Sequence, residues 1–279
     1  MTEKQNQALM PLRNKVAIVT GGSGFLGRQH CLALLEHGAT VYNFDLTLNE
    51  TDLSDTSNNF NSRMEFMACD ISNEIQVGNA VEKVLQNDKK IDILVNNASI
   101  DHKVTGNLAN NLTDYRFENF DFSSWEKEIG VSLNGAIFCS KHVAKNMIFN
   151  KSGSIINLAS DLGVIAPDQR IYIKKKQGLE AMRFYKPFSY SVIKHGLVGL
   201  TKYLSTYLAE YGIRVNTLSP GSIENEQDAE FLNNLRSRIP MGRLANVEEY
   251  KGAIQFLASD ASSYMTGQNL IIDGGRSTW

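Results

Sequence analysis

The stretch from Lys15 to Gly27, which reads KVAIVTGGSGFLG, constrains the fold more than any other part of the chain. Val16 to Val19 is a short apolar run rich in β-branched residues, which predicts a strand buried on both faces. The glycines after it predict a tight turn, and from Phe25 the apolar residues follow helical spacing. A strand, a turn and a helix in this order aim free backbone N–H groups at one point, which favours a phosphate there.

A pyrophosphate can approach the backbone closely at such a turn, because glycine has no side chain. The residues expected to contact it are Gly21, Ser23, Gly24, Phe25, Leu26 and Gly27. The same pattern also fits an ordinary connection between a strand and a helix, so the residues that follow are needed to decide between the two.

An acidic residue ends the next predicted strand. Val41 to Phe44 is apolar and is followed by Asp45, about 20 residues beyond the glycines, where a carboxylate can accept hydrogen bonds from the adenosine ribose. A carboxylate at this position repels a 2′-phosphate, so the sequence favours NAD over NADP. Arg28 would favour NADP if it faced the site, but its place after the last glycine indicates the helix surface.

Composition and charge exclude several other classes of protein. A chain of 279 residues, 42% of them hydrophobic, suits one α/β domain with a substantial core. A net charge of −2 gives no sign of nucleic-acid binding. No apolar run approaches the roughly 18 residues that a membrane span needs, and the polar N-terminus does not resemble a signal peptide. We therefore expect neither a nucleic-acid nor a membrane partner.

The cysteines and histidines predict no metal site. Cys31, Cys69 and Cys139 lie in apolar segments without the spacing of metal ligands, and the five histidines are scattered. The cysteines are expected to be buried thiols in a reducing compartment, which predicts a cytoplasmic protein.

Apolar strands alternate with helical patterns along the rest of the chain. Further strands are predicted at 65–69, 91–95, 154–158, 214–218 and 269–272. Further helices are predicted at 73–86, 125–150, 189–211 and 247–258. The remaining segments are predicted to be a polar tail at 1–14, polar connections at 47–62 and 100–124, and loops at 161–187 and 222–240.

This alternation predicts a single-domain α/β fold, a doubly wound parallel sheet of about seven strands with helices on both faces. Its ligand crevice should lie at the C-terminal ends of the strands, where every motif described here falls.

Tyr190 and Lys194 place a phenol and an ammonium on one face of a predicted helix. A nearby cation favours the phenolate and lowers the pKa of a tyrosine from about 10. Such a phenol can exchange a proton with a substrate hydroxyl or carbonyl. Pairs with this spacing are common on helix surfaces, but this one follows Ser160, which lies at the end of a predicted strand.

Taken together, these motifs resemble the short-chain dehydrogenase/reductase family from about residue 14 to the C-terminus. The motifs that carry the resemblance are Thr20-Gly21 with the glycine turn, Asp70, Asn96-Asn97-Ala98, Ser160, Tyr190 with Lys194, Pro220-Gly221, Thr266-Gly267-Gln268 and Asp273-Gly274-Gly275. The resemblance implies hydride transfer at nicotinamide C4, with Tyr190 as proton donor or acceptor and Ser160 holding the reacting oxygen. It also implies that Lys194 binds the nicotinamide ribose and tunes Tyr190.

The same resemblance assigns the rest of the cofactor site. It implies that Asp70 and Ile71 flank the adenine, and that Asn97 and Ala98 lie on the adenosine ribose side. Pro220 and Gly221 would lie beside the nicotinamide.

The chain departs from the single-domain family pattern at three places. Phe25 stands where those members carry glycine, a spacing found in the longer sugar-nucleotide members. Ser160 and Tyr190 are 30 residues apart, so residues 167–187 form an insertion. Ser132 occupies the place of the usual catalytic Asn, with Asn134 two residues on, and two residues along a helix do not share a face.

The substrate is the least determined part of the prediction. The segment from Gly163 to Pro167 and the long insertion are similar to oxidoreductases of bacterial flagellin and surface-glycan pathways. That likeness favours a carbohydrate-like substrate, including phosphorylated and nucleotide-linked sugars. Basic residues in the insertion suit phosphate, although a lysine run on a loop is as readily explained by solvation: Arg170, Lys174, Lys175, Lys176 and Arg183.

Two alternatives remain. Phe184, Tyr185 and Phe188 suit either an apolar pocket for an acyl or other apolar ketone or a staple that fixes the following helix to the core. Ser132 is the only support for a nucleotide-binding regulator without turnover. The helices at 125–150 and 189–211 correspond to dimer contacts in the family, which implies a homo-dimer or homo-tetramer.

Overall fold

Seven parallel strands form the centre of the structure, a computed structural model that describes residues 10–47, 63–101, 115–174, 182–225 and 227–279. The strands are β1 Val16–Thr20, β2 Thr40–Asp45, β3 Met64–Ala68, β4 Ile93–Asn96, β5 Gly153–Leu158, β8 Ile213–Pro220 and β9 Asn269–Ile272. Their order across the sheet is β3-β2-β1-β4-β5-β8-β9. Two further short strands, β6 Ile173–Lys174 and β7 Met182–Arg183, pair antiparallel outside this sheet.

Helices cover both faces of the sheet, as the alternating pattern predicted. They are α1 Phe25–Glu36, α2 Glu74–Asp88, α3 Phe122–Ile129, α4 Gly135–Asn150, α5 Phe188–Leu208, α6 Ala229–Arg236 and α7 Lys251–Ala258. Successive residues of β1 belong to different cores, because side chains alternate between the two faces of a strand. Ala17 and Val19 pack with α1 and α7, whereas Val16 and Ile18 pack with α2 and α4.

The strand order reverses beside β1, which has β2 on one side and β4 on the other. The loops that leave the C-terminal ends of β1 and β4 therefore run in opposite directions, and the gap between these loops is the usual ligand crevice of such sheets. The doubly wound parallel fold is therefore confirmed, and it places the glycine turn after β1 at the mouth of the crevice.

Two predicted loops contain more structure than the sequence indicated. The segment 222–240 contains α6, whose first turn is capped where Phe231 N–H donates to the Asp228 side chain at 3.0 Å. The segment 161–187 contains two short 3-10 turns and the β6–β7 hairpin.

The predicted helix at 125–150 is also more complex, because a π-helical turn at Gly130–Asn134 joins α3 to α4. The predicted tail at 1–14 is wrong for residues 10–14. Leu12 is fully buried there, and its N–H donates to the His37 carbonyl at 3.0 Å.

Some sequence expectations lie outside the described residues. These are the tail at 1–9, most of the connection at 47–62, the middle of the one at 100–124, and Lys175 and Lys176. Within the described ranges, no helix combines the length and the apolar character that crossing a membrane would require.

His30 in α1 makes the fold sensitive to acid. The imidazole is buried, and neither ring nitrogen has a hydrogen-bond partner in the part of the chain that the structure describes. Burial lowers the pKa of His30 from 6.5 to about 3. Below about pH 6.5 the unfolded chain therefore binds a proton at His30, whereas the native state does not. This difference in proton binding favours the unfolded state, so the protein becomes less stable as the pH falls.

We expect the free energy of unfolding to fall by roughly 2 kcal/mol from this residue between about pH 7 and about pH 5. Denaturant unfolding at both pH values, for the wild type and for His30→Leu, measures the contribution. The variant should show the smaller difference between the two pH values. An equal difference in both proteins would contradict the role of His30.

Candidate active site

A cavity of about 930 Å³ lies at the C-terminal ends of the strands. Most of the residues singled out in the sequence line it: Gly21, Gly24, Phe25, Leu26, Gly27, Asp45, Asp70, Ile71, Asn97, Ala98, Ser160, Tyr190, Lys194, Pro220 and Gly221. Ser23, Ser132 and Asn134 are not part of the lining. The fold thus brings segments from six strand ends to one continuous space.

The glycine turn after β1 is shaped to receive an anion. Gly21 has a φ of +66°, a conformation that favours glycine, and a side chain at Gly27 would collide with the Gly21 carbonyl oxygen. Gly24 caps α1 without a side-chain hydrogen bond, and no acidic residue lies in the first turn. Among the described residues, no side chain caps the N–H groups at this helix end, and the residues that carry them line the cavity, which suits the pyrophosphate of a dinucleotide.

Asp45 lies beside this turn at the end of β2. Its carboxylate accepts hydrogen bonds from Ser23 N–H at 3.0 Å and Leu46 N–H at 2.7 Å, which fix its orientation at the cavity wall. The Ser23 hydroxyl accepts from the Asn43 amide at 2.9 Å. Ser23 therefore organises the turn and orients Asp45 instead of lining the cavity.

The segment after β4 is tied to the same turn. The Asn97 amide donates to the Thr20 carbonyl at 2.9 Å and to the Gly21 carbonyl at 3.1 Å. In return, the Thr20 hydroxyl accepts from the N–H groups of Asn97 and Ala98, both at 3.0 Å. These four bonds hold the ends of β1 and β4 together, so the two walls of the crevice have a fixed separation.

Ser160 follows β5 and belongs to a buried polar cluster. Its hydroxyl donates to Asp161 Oδ1 at 2.9 Å and accepts from Leu162 N–H at 3.2 Å. Arg276, in the turn after β9, donates to Asp161 Oδ2 at 2.7 Å. Asp161 and Arg276 are both almost fully buried, so the guanidinium neutralises a carboxylate that otherwise would lie uncompensated beside Ser160.

Tyr190 and Lys194 lie on the first turns of α5, facing Ser160. The helix approaches the turn after β5 closely, since a side chain at Gly163 would come within 2.9 Å of the Lys194 carbonyl oxygen. Lys194 Nζ donates to the Leu158 carbonyl at 3.0 Å and lies 5.5 Å from the centre of the Tyr190 ring. The strand end and the helix therefore present all three side chains to one point.

Burial dominates the electrostatics of this pair. It raises the pKa of the Tyr190 phenol above its ordinary value, and the carboxylates of Asp101 and Asp161 raise it further, against a hydrogen bond from Ser160 that lowers it. Burial also lowers the pKa of Lys194 to about 8. The simple expectation that Lys194 brings down the pKa of Tyr190 is therefore not met in this structure, because desolvation of the phenolate has the larger effect.

A second lysine lies against Tyr190. Lys186 Nζ is 4.0 Å from the centre of the Tyr190 ring and forms an ion pair with Asp101. The Lys186 side chain is only 9% exposed, and both charged residues line the cavity. This pair was not predicted from the sequence.

Ser132 lies beneath the segment after β4. Its hydroxyl accepts from Ile100 N–H at 3.0 Å and forms a hydrogen bond with the Ser99 hydroxyl at 3.1 Å. Ser132 and Asn134 both lie within the π-helical turn, so the spacing of a regular helix does not apply to them. Neither Asn134 nor Ser132 is part of the cavity lining. Ser132 supports the cavity wall through its hydrogen bonds to Ser99 and Ile100, which do line it.

The two long loops pack on each other above the cavity. Ile171 and Tyr172 of the insertion share an apolar cluster with Leu235 and Ile239 from the segment 222–240. Asp168 joins them by accepting from Arg238 Nε at 2.9 Å. The two segments therefore form one cover, although 70 residues separate Asp168 from Arg238.

The insertion places its basic and aromatic residues differently from the sequence hypotheses. Arg170 pairs with Asp168 and is 77% exposed, and Arg183 is exposed as well. Neither Arg170 nor Arg183 lines the cavity. Phe188 packs against Phe117, Phe120 and Trp125, as in the staple interpretation.

Six charged residues that line the cavity were missed in the sequence: Asp101, Lys127, Glu128, Asp161, Lys186 and Arg276. Two of them had a signal there. Asp161 directly follows Ser160, and Lys186 precedes Tyr190 by the same four residues that separate Tyr190 from Lys194. Arg276 follows the Asp273-Gly274-Gly275 motif, but only the folded chain shows that this turn points back to β5.

Comparison with known proteins settles the family. Residues 15–235 match the family model described as short chain dehydrogenase. The chain belongs to the short-chain dehydrogenase/reductase family. Members are oxidoreductases that act between alcohols and ketones with a nicotinamide cofactor, and the uncapped helix end beside the glycine turn fits the cofactor's pyrophosphate.

Relatives match over nearly the whole chain. A 3-oxoacyl-(acyl-carrier-protein) reductase FabG of Thermotoga maritima is 32% identical over 95% of this chain and 99% of its own length. A short chain dehydrogenase of Leptospira borgpetersenii, solved with bound NAD+, has a TM-score of 0.83 at 30% identity and covers 99% of this chain and 97% of its own.

A gluconate 5-dehydrogenase of Burkholderia cenocepacia, solved with NADP and tartrate, has a TM-score of 0.80 at 29% identity. The match covers 98% of this chain and 99% of that one. These relatives differ in cofactor and substrate, so the family alone fixes neither for this protein.

The hydrogen bond between Ser132 and Ile100 joins the π-helical turn to the segment after β4, and its contribution to stability can be measured. Ser132→Ala removes the acceptor of the Ile100 N–H, and we expect the free energy of unfolding to fall by about 1–2 kcal/mol. Denaturant unfolding measures the change, with Ser152→Ala, at an exposed position, as the control. Equal stability of both variants would show that the hydrogen bond does not hold the segment after β4.

Proposed function

We propose that the protein is an NAD(H)-dependent oxidoreductase that interconverts a secondary alcohol and a ketone on a carbohydrate-like substrate. The main support is the polar lining of the cavity beside Ser160 and Tyr190. Asp101, Asp161, Lys186, Arg276, Tyr172, Asn225 and Gln227 supply donors and acceptors there. A polyhydroxylated substrate can form further hydrogen bonds with such groups, whereas an apolar chain would cover them and take water away from them without offering a partner.

Three residues are proposed to carry the chemistry. Bound nicotinamide supplies the hydride donor or acceptor. The Tyr190 phenol exchanges a proton with the substrate oxygen, because it is the titratable hydroxyl that α5 holds beside Ser160. Ser160 orients that oxygen with its hydroxyl. Lys194, held at the Leu158 carbonyl, keeps a positive charge near the ring and binds the nicotinamide ribose.

NAD is proposed as the cofactor in preference to NADP. The Asp45 carboxylate lies at the cavity wall, oriented by Ser23 N–H, where the adenosine ribose would bind. It can accept hydrogen bonds from the ribose hydroxyls, and it would repel a 2′-phosphate. Relatives with NAD+ and with NADP are both known, so Asp45 carries this part of the proposal.

The substrate class is proposed to include sugars, sugar acids and nucleotide-linked sugars. Tartrate, a polyhydroxylated acid, is bound in the gluconate 5-dehydrogenase relative. Of the basic residues first associated with phosphate, Arg170 and Arg183 do not line the cavity, and Arg170 is paired with Asp168. Lys186 and Arg276 are the cations that a substrate would meet instead.

The alternative is a reductase of acyl or other apolar ketones, which the FabG relative favours. Against it, the aromatic residues proposed for an apolar pocket are absent from the lining of the described cavity: Phe184, Tyr185 and Phe188. A nucleotide-binding regulator without turnover is the remaining alternative, and the grouping of Ser160, Tyr190 and Lys194 argues against it.

We also propose a cytoplasmic homo-dimer or homo-tetramer, in which the insertion and the segment 222–240 act as one lid. Exposed apolar side chains on α4 and α5 suit contacts between subunits: Ile137, Val192, Tyr203 and Tyr207. Sedimentation of the purified protein would test the assembly, and a monomer would refute it.

A substrate panel tests the proposed function. Polyols, sugar acids and nucleotide sugars with NAD, and an acetoacetyl thioester with NADH, are followed by the absorbance of the reduced cofactor. We expect kcat/KM to be highest for a polyhydroxylated substrate. The highest kcat/KM for the thioester would contradict the proposal, and cofactor binding without turnover of any substrate would favour the regulator.

Tyr190→Phe should lower kcat by about 10²–10⁴-fold with cofactor binding retained, because the proton donor is lost. Tyr185→Phe is the matched control, since Tyr185 does not line the cavity. Equal effects of the two substitutions would refute the role of Tyr190.

A further inference from the structure

Tyr190 lies between two lysines in the sequence and in space. Lys186 precedes it by four residues and Lys194 follows it by four. The Lys186 ammonium is the closer of the two, at 4.0 Å from the ring centre compared with 5.5 Å for Lys194. An ammonium over an aromatic ring at this distance interacts with the ring itself and, more strongly, with a phenolate.

The insertion fixes Lys186 in this place. The Lys186 N–H donates to the Gln169 side-chain oxygen at 2.9 Å, and the Gln169 amide donates to the Lys186 carbonyl at 3.1 Å. Pro187 then caps α5, which sets the direction in which the helix leaves. A buried lysine held at both backbone groups and by an ion pair is preorganised, so little reorganisation is needed when charge develops on Tyr190.

The other charged groups around Tyr190 are largely paired. Asp161 is neutralised by Arg276 at 2.7 Å, and Tyr172 stays neutral because burial raises the pKa of its phenol. Lys194 faces the ring from α5 itself. In the part of the chain that the structure describes, the remaining charged groups near Tyr190 are Lys186 and Asp101, which have opposite signs and form an ion pair with each other.

We propose that Lys186 and Asp101 form an opposed pair of positioning residues that sets how readily Tyr190 gives up its proton. The ammonium stabilises the phenolate, and the carboxylate opposes it by repulsion and by drawing the ammonium toward itself. A substrate that hydrogen-bonds to Asp101 would weaken this opposition at the moment of proton transfer. The inference rests on the proposed role of Tyr190, and it gives the insertion a chemical role, because the insertion delivers Lys186 to the ring.

A titration of Tyr190 itself tests the proposal and needs no substrate. The protein is prepared with isotope-labelled tyrosine, and the NMR signal of the Tyr190 phenol is assigned by its loss in Tyr190→Phe. We expect the midpoint to rise by about 1–2 pH units in Lys186→Met, because a nearby cation is lost. It should fall by a similar amount in Asp101→Asn and stay near the wild-type value in Lys186→Arg.

The opposite signs distinguish an electrostatic role from a structural one, because loss of packing would not move the midpoint in both directions. Lys202→Met, on the far part of the same helix, is the control and should leave it unchanged. Asp101 is half exposed, so Asp101→Asn decides the matter even if Lys186→Met does not fold. Unchanged midpoints in both variants, shifts in the same direction, or no titration in any of the proteins would overturn the proposal.

Turnover of the Tyr190→Phe variant separates this inference from the proposed function. With an alcohol from the panel, Tyr190→Phe that retains full turnover would refute the role of Tyr190, whatever the titration shows. Loss of turnover in Tyr190→Phe, with unshifted titrations in the Lys186 and Asp101 variants, would refute the opposed pair alone.

Discussion

A buried chain of polar side chains holds the active-site elements in register. The Asn96 amide donates to Asn157 at 2.8 Å and to the Ser140 hydroxyl at 3.0 Å, which joins β4 to β5 and α4. The Asn157 amide donates to the Thr201 hydroxyl at 2.8 Å, and the Thr217 hydroxyl bonds to Thr201 at 2.7 Å. In a low-dielectric interior such bonds specify one arrangement, because breaking any of them strands a polar group. These bonds fix α5 to the sheet, so Tyr190 on α5 has a fixed position relative to Ser160 after β5.

On this fixed base, the chain adds a cover made of two distant segments. Tyr172 of the insertion packs on Phe231 of α6 with ring centres 5.4 Å apart, and Asp168 pairs with Arg238. The cover lines the cavity with polar residues, such as Asn225 and Gln227, and with members of its own apolar cluster, such as Ile171 and Leu235. The same insertion holds Lys186 through Gln169. Substrate access and the charge around Tyr190 are thus connected through one segment.

Much of the fold followed from local pattern. The strands were predicted within two residues at most ends because buried parallel strands are short apolar runs, and the motifs at their C-terminal ends meet by topology alone. α6 was missed because polar residues surround its apolar face. The π-helical turn has no local signature. Arg276 and Asp101 were missed because their roles depend on contacts between segments far apart in sequence, which spacing within one element does not reveal.

The central claim is that the crevice between β1 and β4 holds a nicotinamide cofactor whose adenosine ribose is bound by Asp45. Fluorescence titration with NADH and NADPH, on the wild type and on Asp45→Ala, tests it most directly. We expect tighter binding of NADH, weakened by about 10–100-fold in the variant through loss of a charge-assisted hydrogen bond, with NADPH binding unchanged or improved. Asp260→Ala, at an exposed site elsewhere, should bind like the wild type. Preference of the wild type for NADPH, or equal NADH binding by Asp45→Ala, would contradict this claim.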